Sequence, residues 1–325
     1  SYGPYVFTEV VPGDHYTFTK FDNYFVENDS PIKTIIFRRI DEANVAMMEL
    51  QTQGVDVIMY PSEADIADVV NGVYGDDIKY VAATGQYQQL IVFNLCADSL
   101  CSDVNVRKAL CYAIDRQTMW EGAFDSSGEF ATTPVTKAQE FIEEFEEPYP
   151  QDLEKAKQML LDAGIEEGTT FRVCVDNDAY RTTAVEMFKN VMTELGYNVE
   201  IKTGDNAAYK EMCNNTTTWD LEFGKSGMIG CVAYWNKVQW ARWHHGDQAV
   251  EDFSSFYELR DKVLGEFDDA ARYELTQEFM DMYVNTYCVS YPIRQDIYGN
   301  LEAGNLMGVT RWAEQWNVVG AYFAD

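Results

Sequence analysis

The chain has 325 residues, 54 acidic against 24 basic, a formal net charge of −30, and 46% hydrophobic and 14% aromatic content. A chain this long and apolar buries sizeable cores, more than one domain's worth, and is not disordered. Its charge opposes binding to nucleic acid and to anionic membranes, and no run approaches the roughly 18 apolar residues of a membrane span.

The first quarter reads as mixed α/β. "YVFTEV" and "YTFTKF" alternate around the turn "VPGDH", which predicts a hairpin, and "TIIFRRI" (34–40) predicts a strand. Asp41 is placed to cap a helix "EANVAMMELQTQ" that ends at Gly54, and "VDVIMY" (55–60) follows as a strand. Ser62 and Asp65 have capping-box spacing before the short helix 62–70. "IKYVAA" and "YQQLIVFNL" (87–95) read as two strands. In "SDVNVRKALCYAIDRQTM" (102–119), Ser102 or Asp103 caps a helix whose apolar face carries Val106, Leu110, Ala113 and Ile114. From Gly122 to Val135 the chain turns small and polar, as a connection between lobes does. Beyond it, helix "QDLEKAKQMLLDAG", strand 171–177, helix "DAYRTTAVEMFKNVMTELG", strand 197–203, a short helix at 208–213 and strand 219–223 alternate in the manner of a parallel sheet. Helices at 254–265 and 269–286 lead into strand "CVSYPI" and a return segment.

Seven cysteines are too few for a disulfide scaffold at this length. Cys96 and Cys101 bracket "CADSLC" and suit a small bridge in an exported protein, while Cys111 and Cys174 fall in helix and strand patterns as small hydrophobes. No pair has Cys-x-x-Cys spacing. "GKSG" (224–227) has the end of a phosphate loop, but Trp219 stands where that motif's first glycine belongs. No nucleophile elbow occurs, and with 54 acids a carboxylate pair at any chosen spacing carries no information. His244 and His245 near Cys231 offer metal donors, but adjacent histidines on an exposed turn are ordinarily solvated. No catalytic residue, metal or cofactor is assigned.

"VFNLCADSLCSDVNVRKALCYAIDR" (92–116) resembles the signature of the family 5 solute-binding proteins, the dipeptide, oligopeptide and nickel-type binding components of bacterial ABC importers. The matching residues are Phe93, Asn94, Asp103, Val106, Arg107, Ala109, Leu110, Ala113, Ile114, Asp115 and Arg116. The blocks 1–25, 35–58, 153–164 and 195–203 also look like the family's, so the resemblance covers most of the chain. It implies a two-lobed α/β fold of the type II periplasmic-binding-protein kind, lacking the first part of lobe I and the family's extra domain. Lobe I is then formed by 1–124 and 298–325 and lobe II by 135–288, with hinge crossovers at 125–134 and 289–297. Arg107 and Arg116 read as structural rather than ligand-binding residues.

By the same resemblance the chain is a non-enzymatic monomer that works outside the cytoplasmic membrane, periplasmic or lipid-anchored. It captures a peptide or related small solute and delivers it to ABC permease subunits, without inserting in the membrane. The alternative is an acidic extracellular carbohydrate-binding protein or hydrolase. Peptide-binding members carry a Gly-Trp-x-x-Asp-Tyr-x-(Asp/Glu)-Pro loop whose first acid pairs with the peptide's α-ammonium group. Here residues 224–246 include no Asp or Glu, and offer Lys225, Ser226, Tyr234, Trp235 and Trp240. Asn94, Tyr87, Gln89, Arg294 and Asp296 complete the expected ligand-binding set. This set suits a neutral or anionic solute better than a free amine, with Asp296 as the one substitute partner for an amine.

Overall fold

A computed structural model of the chain describes residues 3–27, 30–227, 230–239, 245–312 and 315–324. In chain order the elements are β1 (Tyr5–Val11), β2 (His15–Lys20), β3 (Thr34–Arg38), α1 (Ala43–Gln51), β4 (Val57–Met59), α2 (Glu63–Val70) and the long β5 (Ile78–Phe93). Then come α3 (Val104–Ala113), α4 (Arg116–Ala123), β6 (Glu129–Phe130), α5 (Leu153–Asp162), β7 (Thr170–Asp176), α6 (Ala179–Glu194), β8 (Asn198–Gly204), α7 (Asn206–Asn214) and β9 (Leu221–Gly227). Helices α8 (Val232–Gln239), α9 (Ser254–Gly265) and α10 (Asp269–Asp281) precede β10 (Ser290–Ala303), and four short strands, β11 to β14, close the chain. Among the described residues no helix is long and apolar enough to cross a membrane.

Two compact units result, Ser1–Ala83 with Ile297–Asp325, and Thr84–Asp296. The expected crossover 125–134 lies inside the second unit, whereas 298–325 belongs to the first. β5 and β10 each run from one unit into the other. In the first unit β1, β2 and β3 form an antiparallel sheet, and β4 pairs with the end of β10 at Asn300–Glu302. Met47, Leu50, Val69, Ile78, Leu301 and Leu306 form its core.

The second unit holds strands in the order β10-β5-β9-β7-β8, with β6 added to β10. β7 is parallel to both β8 and β9, and β9 is antiparallel to β5. A parallel strand covered on both faces must be apolar throughout, and Phe171, Val173, Cys174 and Val175 of β7 are all fully buried. Part of the acidic excess has a local task. Asp103, Asp115, Asp152, Asp178, Asp205 and Asp268 each cap a helix by accepting backbone N–H bonds in its first turn. Each such cap is worth about 1 kcal/mol, and its negative charge suits the positive end of the helix dipole.

Three local expectations fail. Asp41 does not cap α1, because its carboxylate pairs with Arg39 at 2.7 Å, and the helix starts after Glu42 without a side-chain cap. The two strands expected between Ile78 and Leu95 are one, β5. Cys96 and Cys101 are not joined: the Cys96 thiol faces the His245 carbonyl and Gln248, and hydrogen bonds through Ser99 close the loop instead.

Candidate functional site

Within the second unit, β5, β9 and β10 bring five of the expected residues together. β9 begins apolar, with Leu221 and Phe223 in the core, then turns polar at "GKSG". It passes β5 so closely at Gly227 that any side chain there would collide with the Gln86 carbonyl. This pairing sets Lys225 opposite Gln89 and Ser226 opposite Gln88.

Asp296, almost fully buried, is the centre of the group. Its Oδ1 accepts from Gln89 Nε2 at 3.1 Å and lies 3.5 Å from Arg294 Nη1, and its Oδ2 lies 3.1 Å from Lys225 Nζ. The Lys225 ammonium also sits 4.4 Å over the Tyr87 ring, a cation–π contact. Arg294 Nε donates to the Ser127 carbonyl at 2.9 Å. The backbone fits there because Gly128, at φ +70°, has no side chain to strike Arg294 and the Gln295 carbonyl. Gln89 relays the network outward, its Oε1 accepting from Arg181 Nη1 at 2.7 Å. Arg181 in turn donates to both carboxylate oxygens of Asp176 and lies 3.4 Å from Asp178. Burial opposes the charge on Arg181, and the two aspartates more than restore it, so its pKa lies above the ordinary value.

A second layer is polar but unpaired. Among the described residues, Gln88 Oε1, Ser226 Oγ, both amide atoms of Gln139 and both of Asn236 are buried without a hydrogen-bond partner. Buried polar atoms are nearly always satisfied, and the two that the strand register makes neighbours, Gln88 Oε1 and Ser226 Oγ, lie on the sheet face opposite Gln89 and Lys225. Gln88 Nε2 donates to the Val135 carbonyl and to Gln295 Oε1, and Gln139 bridges to Gly230, two residues before α8 begins.

The other expected residues are placed differently. Asn94 is fully enclosed, donating to the Thr216 and Trp219 carbonyls at 2.7 Å each and accepting from Cys96 N–H. It fastens the end of β5 to the loop before β9 and is not part of the Asp296 group. Tyr234 is half exposed on α8, while the Trp235 side chain and Trp240 lie outside the described residues. His245 is not on an exposed turn: it is buried against Trp219, with Nε2 3.0 Å from the Cys213 carbonyl, and burial holds its pKa below the usual value. His244 lies outside the described residues. Sequence reasoning does not point to Arg181, Gln88, Gln139 or Asn236. Only Arg181 left a trace, the Asp-x-Asp-x-x-Arg spacing at the start of α6.

Both signature arginines act within the fold. Arg107 is fully buried among backbone carbonyls, and Arg116 donates to the Ala131 and Pro292 carbonyls, pairs with Glu147 and lies 4.5 Å over the Tyr291 ring. Chemically, the Asp296 group is a charge-compensated network of one carboxylate, two cations and an amide.

Residues 1–231 match the family model described as bacterial extracellular solute-binding proteins, family 5 Middle. Heme-binding protein A of Haemophilus influenzae is 26% identical over 166 residues, covering 51% of this chain and 29% of that protein. The dipeptide-binding protein of Escherichia coli is also 26% identical over 166 residues, covering 51% and 30%. The chain thus spans about a third of the length of these curated relatives. Among solved structures, HbpA2 from Haemophilus parasuis superposes with a TM-score of 0.80 at 18% identity, over 99% of this chain and 64% of that one. NikA from Brucella suis, in complex with Fe(III)-EDTA, gives 0.72 at 18% identity, over 95% and 65%. The α/β fold is the one these binding proteins share.

Proposed function

The chain belongs to family 5 of the bacterial extracellular solute-binding proteins, and from that premise we propose that it captures a small polar solute outside the cytoplasmic membrane. Delivery is to the permease of an ABC importer, with the chain acting as a monomer and without catalysis of its own. The observation that carries the reading is the charge-compensated Asp296 group; on the other face of the same strands, among the described residues, Gln88 Oε1 and Ser226 Oγ are buried without a hydrogen-bond partner. A ligand bearing amide or hydroxyl groups would satisfy them. Leaving such groups unpaired costs about 1–3 kcal/mol each, which a matching ligand recovers.

The proposed ligand is a peptide or related solute that is not held by a free α-amine. Asp296 is already faced by Lys225, Arg294 and Gln89, and 224–246 contains no carboxylate to take the amine instead. Two cations face the single carboxylate of Asp296, and Arg181 with Asp176 and Asp178 brings the whole network to neutrality, so it holds no spare carboxylate for a cation and favours a neutral or anionic molecule. Lobe closure is part of this proposal, with movement about the crossovers 125–134 and 289–297. The pairing of β6 with β10, Phe130 to Arg294 and Glu129 to Gln295, supports it, because the two crossovers run side by side.

A thermal-shift screen with di- to pentapeptides, their N-acetylated forms, oligosaccharides and nickel chelates tests the ligand class. N-acetylated peptides or oligosaccharides should stabilise the protein at least as well as free-amine peptides. Stabilisation by free-amine peptides alone would refute this ligand class. Replacing Gln139 with leucine separates binding from folding. The free protein should be as stable or more so, since a buried amide without a partner among the described residues is removed, while ligand affinity falls by about 1–3 kcal/mol. A variant that unfolds more easily yet binds normally would show that Gln139 serves the fold.

A further inference from the structure

Cys174, Cys213 and Glu222 come from three different elements and meet under α7. Cys174 of β7 and Glu222 of β9 are direct partners in the parallel register, and Cys213 stands on the last turn of α7. The two sulfurs are 3.6 Å apart, and all three ligand atoms lie within 4.8 Å of one another. Among the described residues no other group of three His, Cys, Asp or Glu side chains converges in this way. Cys174 and Glu222 are buried, while Cys213 is only half-buried and leaves a route in.

Glu222 is what makes the cluster more than a thiol contact. It is a buried carboxylate, and among the described residues no Lys or Arg lies within ion-pair distance of it. Its partners are the Tyr209 hydroxyl, which donates to Oε1, and the Cys213 thiol, and burial is the main cause that pushes its pKa up to about 7. A buried carboxylate without a cation is costly. A second pair, Cys111 and Cys288, has almost the same sulfur spacing, 3.5 Å, but no acid converges on it. The sulfur spacing at Cys174 and Cys213 also suits a metal. Two thiolates about 2.3 Å from one tetrahedral zinc subtend about 3.8 Å.

We propose that Cys174, Cys213 and Glu222 bind one thiophilic divalent cation of the zinc class, with water in the fourth position. Binding exchanges the cation for the protons of both thiols and whatever proton Glu222 holds, so no oxidant or reductant is needed. The carboxylate closes the remaining distance by rotating toward the sulfurs. The cation ties α7 to β7 and β9, three residues upstream of Lys225.

The test uses the whole chain, reduced and freed of metal with a chelator, then titrated with Zn2+ against a chromogenic competitor and with Co2+ by absorbance. The expected result is one Zn2+ per chain and a thiolate-to-cobalt charge-transfer band. Cys213→Ser and Cys174→Ser should abolish the band. Glu222→Gln should weaken zinc by at least the roughly 10–100-fold typical of lost supporting groups. Cys231→Ala, outside the cluster, should change neither, and circular dichroism checks that each variant is folded. Failure to bind near-stoichiometric zinc would overturn the proposal. So would zinc binding unchanged in folded Cys213→Ser and Glu222→Gln, or a Cys174–Cys213 disulfide found by mass spectrometry in protein secreted from an oxidising compartment.

Discussion

Arg107→Ala is expected to cost about 3–5 kcal/mol of stability, enough to unfold many domains at 37 °C. The guanidinium is fully buried and donates to four backbone carbonyls, those of Cys101, Ser102, Tyr287 and Cys288, besides pairing with Glu251 at 2.6 Å. Truncation strips every one of these groups of a partner at once. The same bonds hold the turn two residues before β10, where Cys288 keeps φ +46° without being glycine, so their loss frees that turn from the conformation the fold imposes. Lysine should rescue little, because one ammonium cannot reproduce a fork with five donors. Urea unfolding of the wild type, Arg107→Ala and Arg107→Lys measures this directly. A loss below about 1 kcal/mol for the alanine variant, the ordinary size of a point-mutant effect, would contradict it.

The elements that were legible before the structure are those whose signal is local. α6 and α5 carry their periodicity and an aspartate cap in sequence, and β7 and β8 stand out as apolar or alternating runs between them. What escaped depends on distant partners. Thr84, Gly85 and Gln86 read as a break in β5, yet the strand continues there, because the Gly85 carbonyl is taken by Thr136 Oγ1 and Gln295 Nε2, residues far along the chain. Lys225, Arg294, Asp296, Tyr87 and Gln89 were named from a family resemblance, not from any spacing, and the fold groups them around Asp296. Asn94 was named on the same ground but is consumed by backbone bonds, a fate that only the loop before β9 could reveal. The thiol contacts obey the same logic. Cys111 and Cys288 are 177 residues apart and Cys174 and Cys213 are 39 apart, so no local motif announces either.

The pH dependence of stability should carry the imprint of Glu222. Its carboxyl has an ordinary pKa of 4.5 and is raised in the fold to about 7, chiefly by burial. Between those values the folded chain holds a proton that the unfolded chain has released. The contribution is therefore full below about pH 4.5 and is lost as pH rises through about 7, a total of about 3 kcal/mol. Glu222→Gln keeps an acceptor for Tyr209 and removes the titration. Unfolding free energies at pH 5 and pH 8, a window that takes in most of this titration, should fall without metal by about 2.5 kcal/mol less in the variant than in the wild type. An equal fall in both would mean that Glu222 ionises in the native state as it does in water. The same pair of measurements with zinc present bears on the metal proposal. A cation on Cys174, Cys213 and Glu222 favours their deprotonated forms, so its stabilisation grows as pH rises, opposite in sign to the metal-free trend and absent from Cys213→Ser.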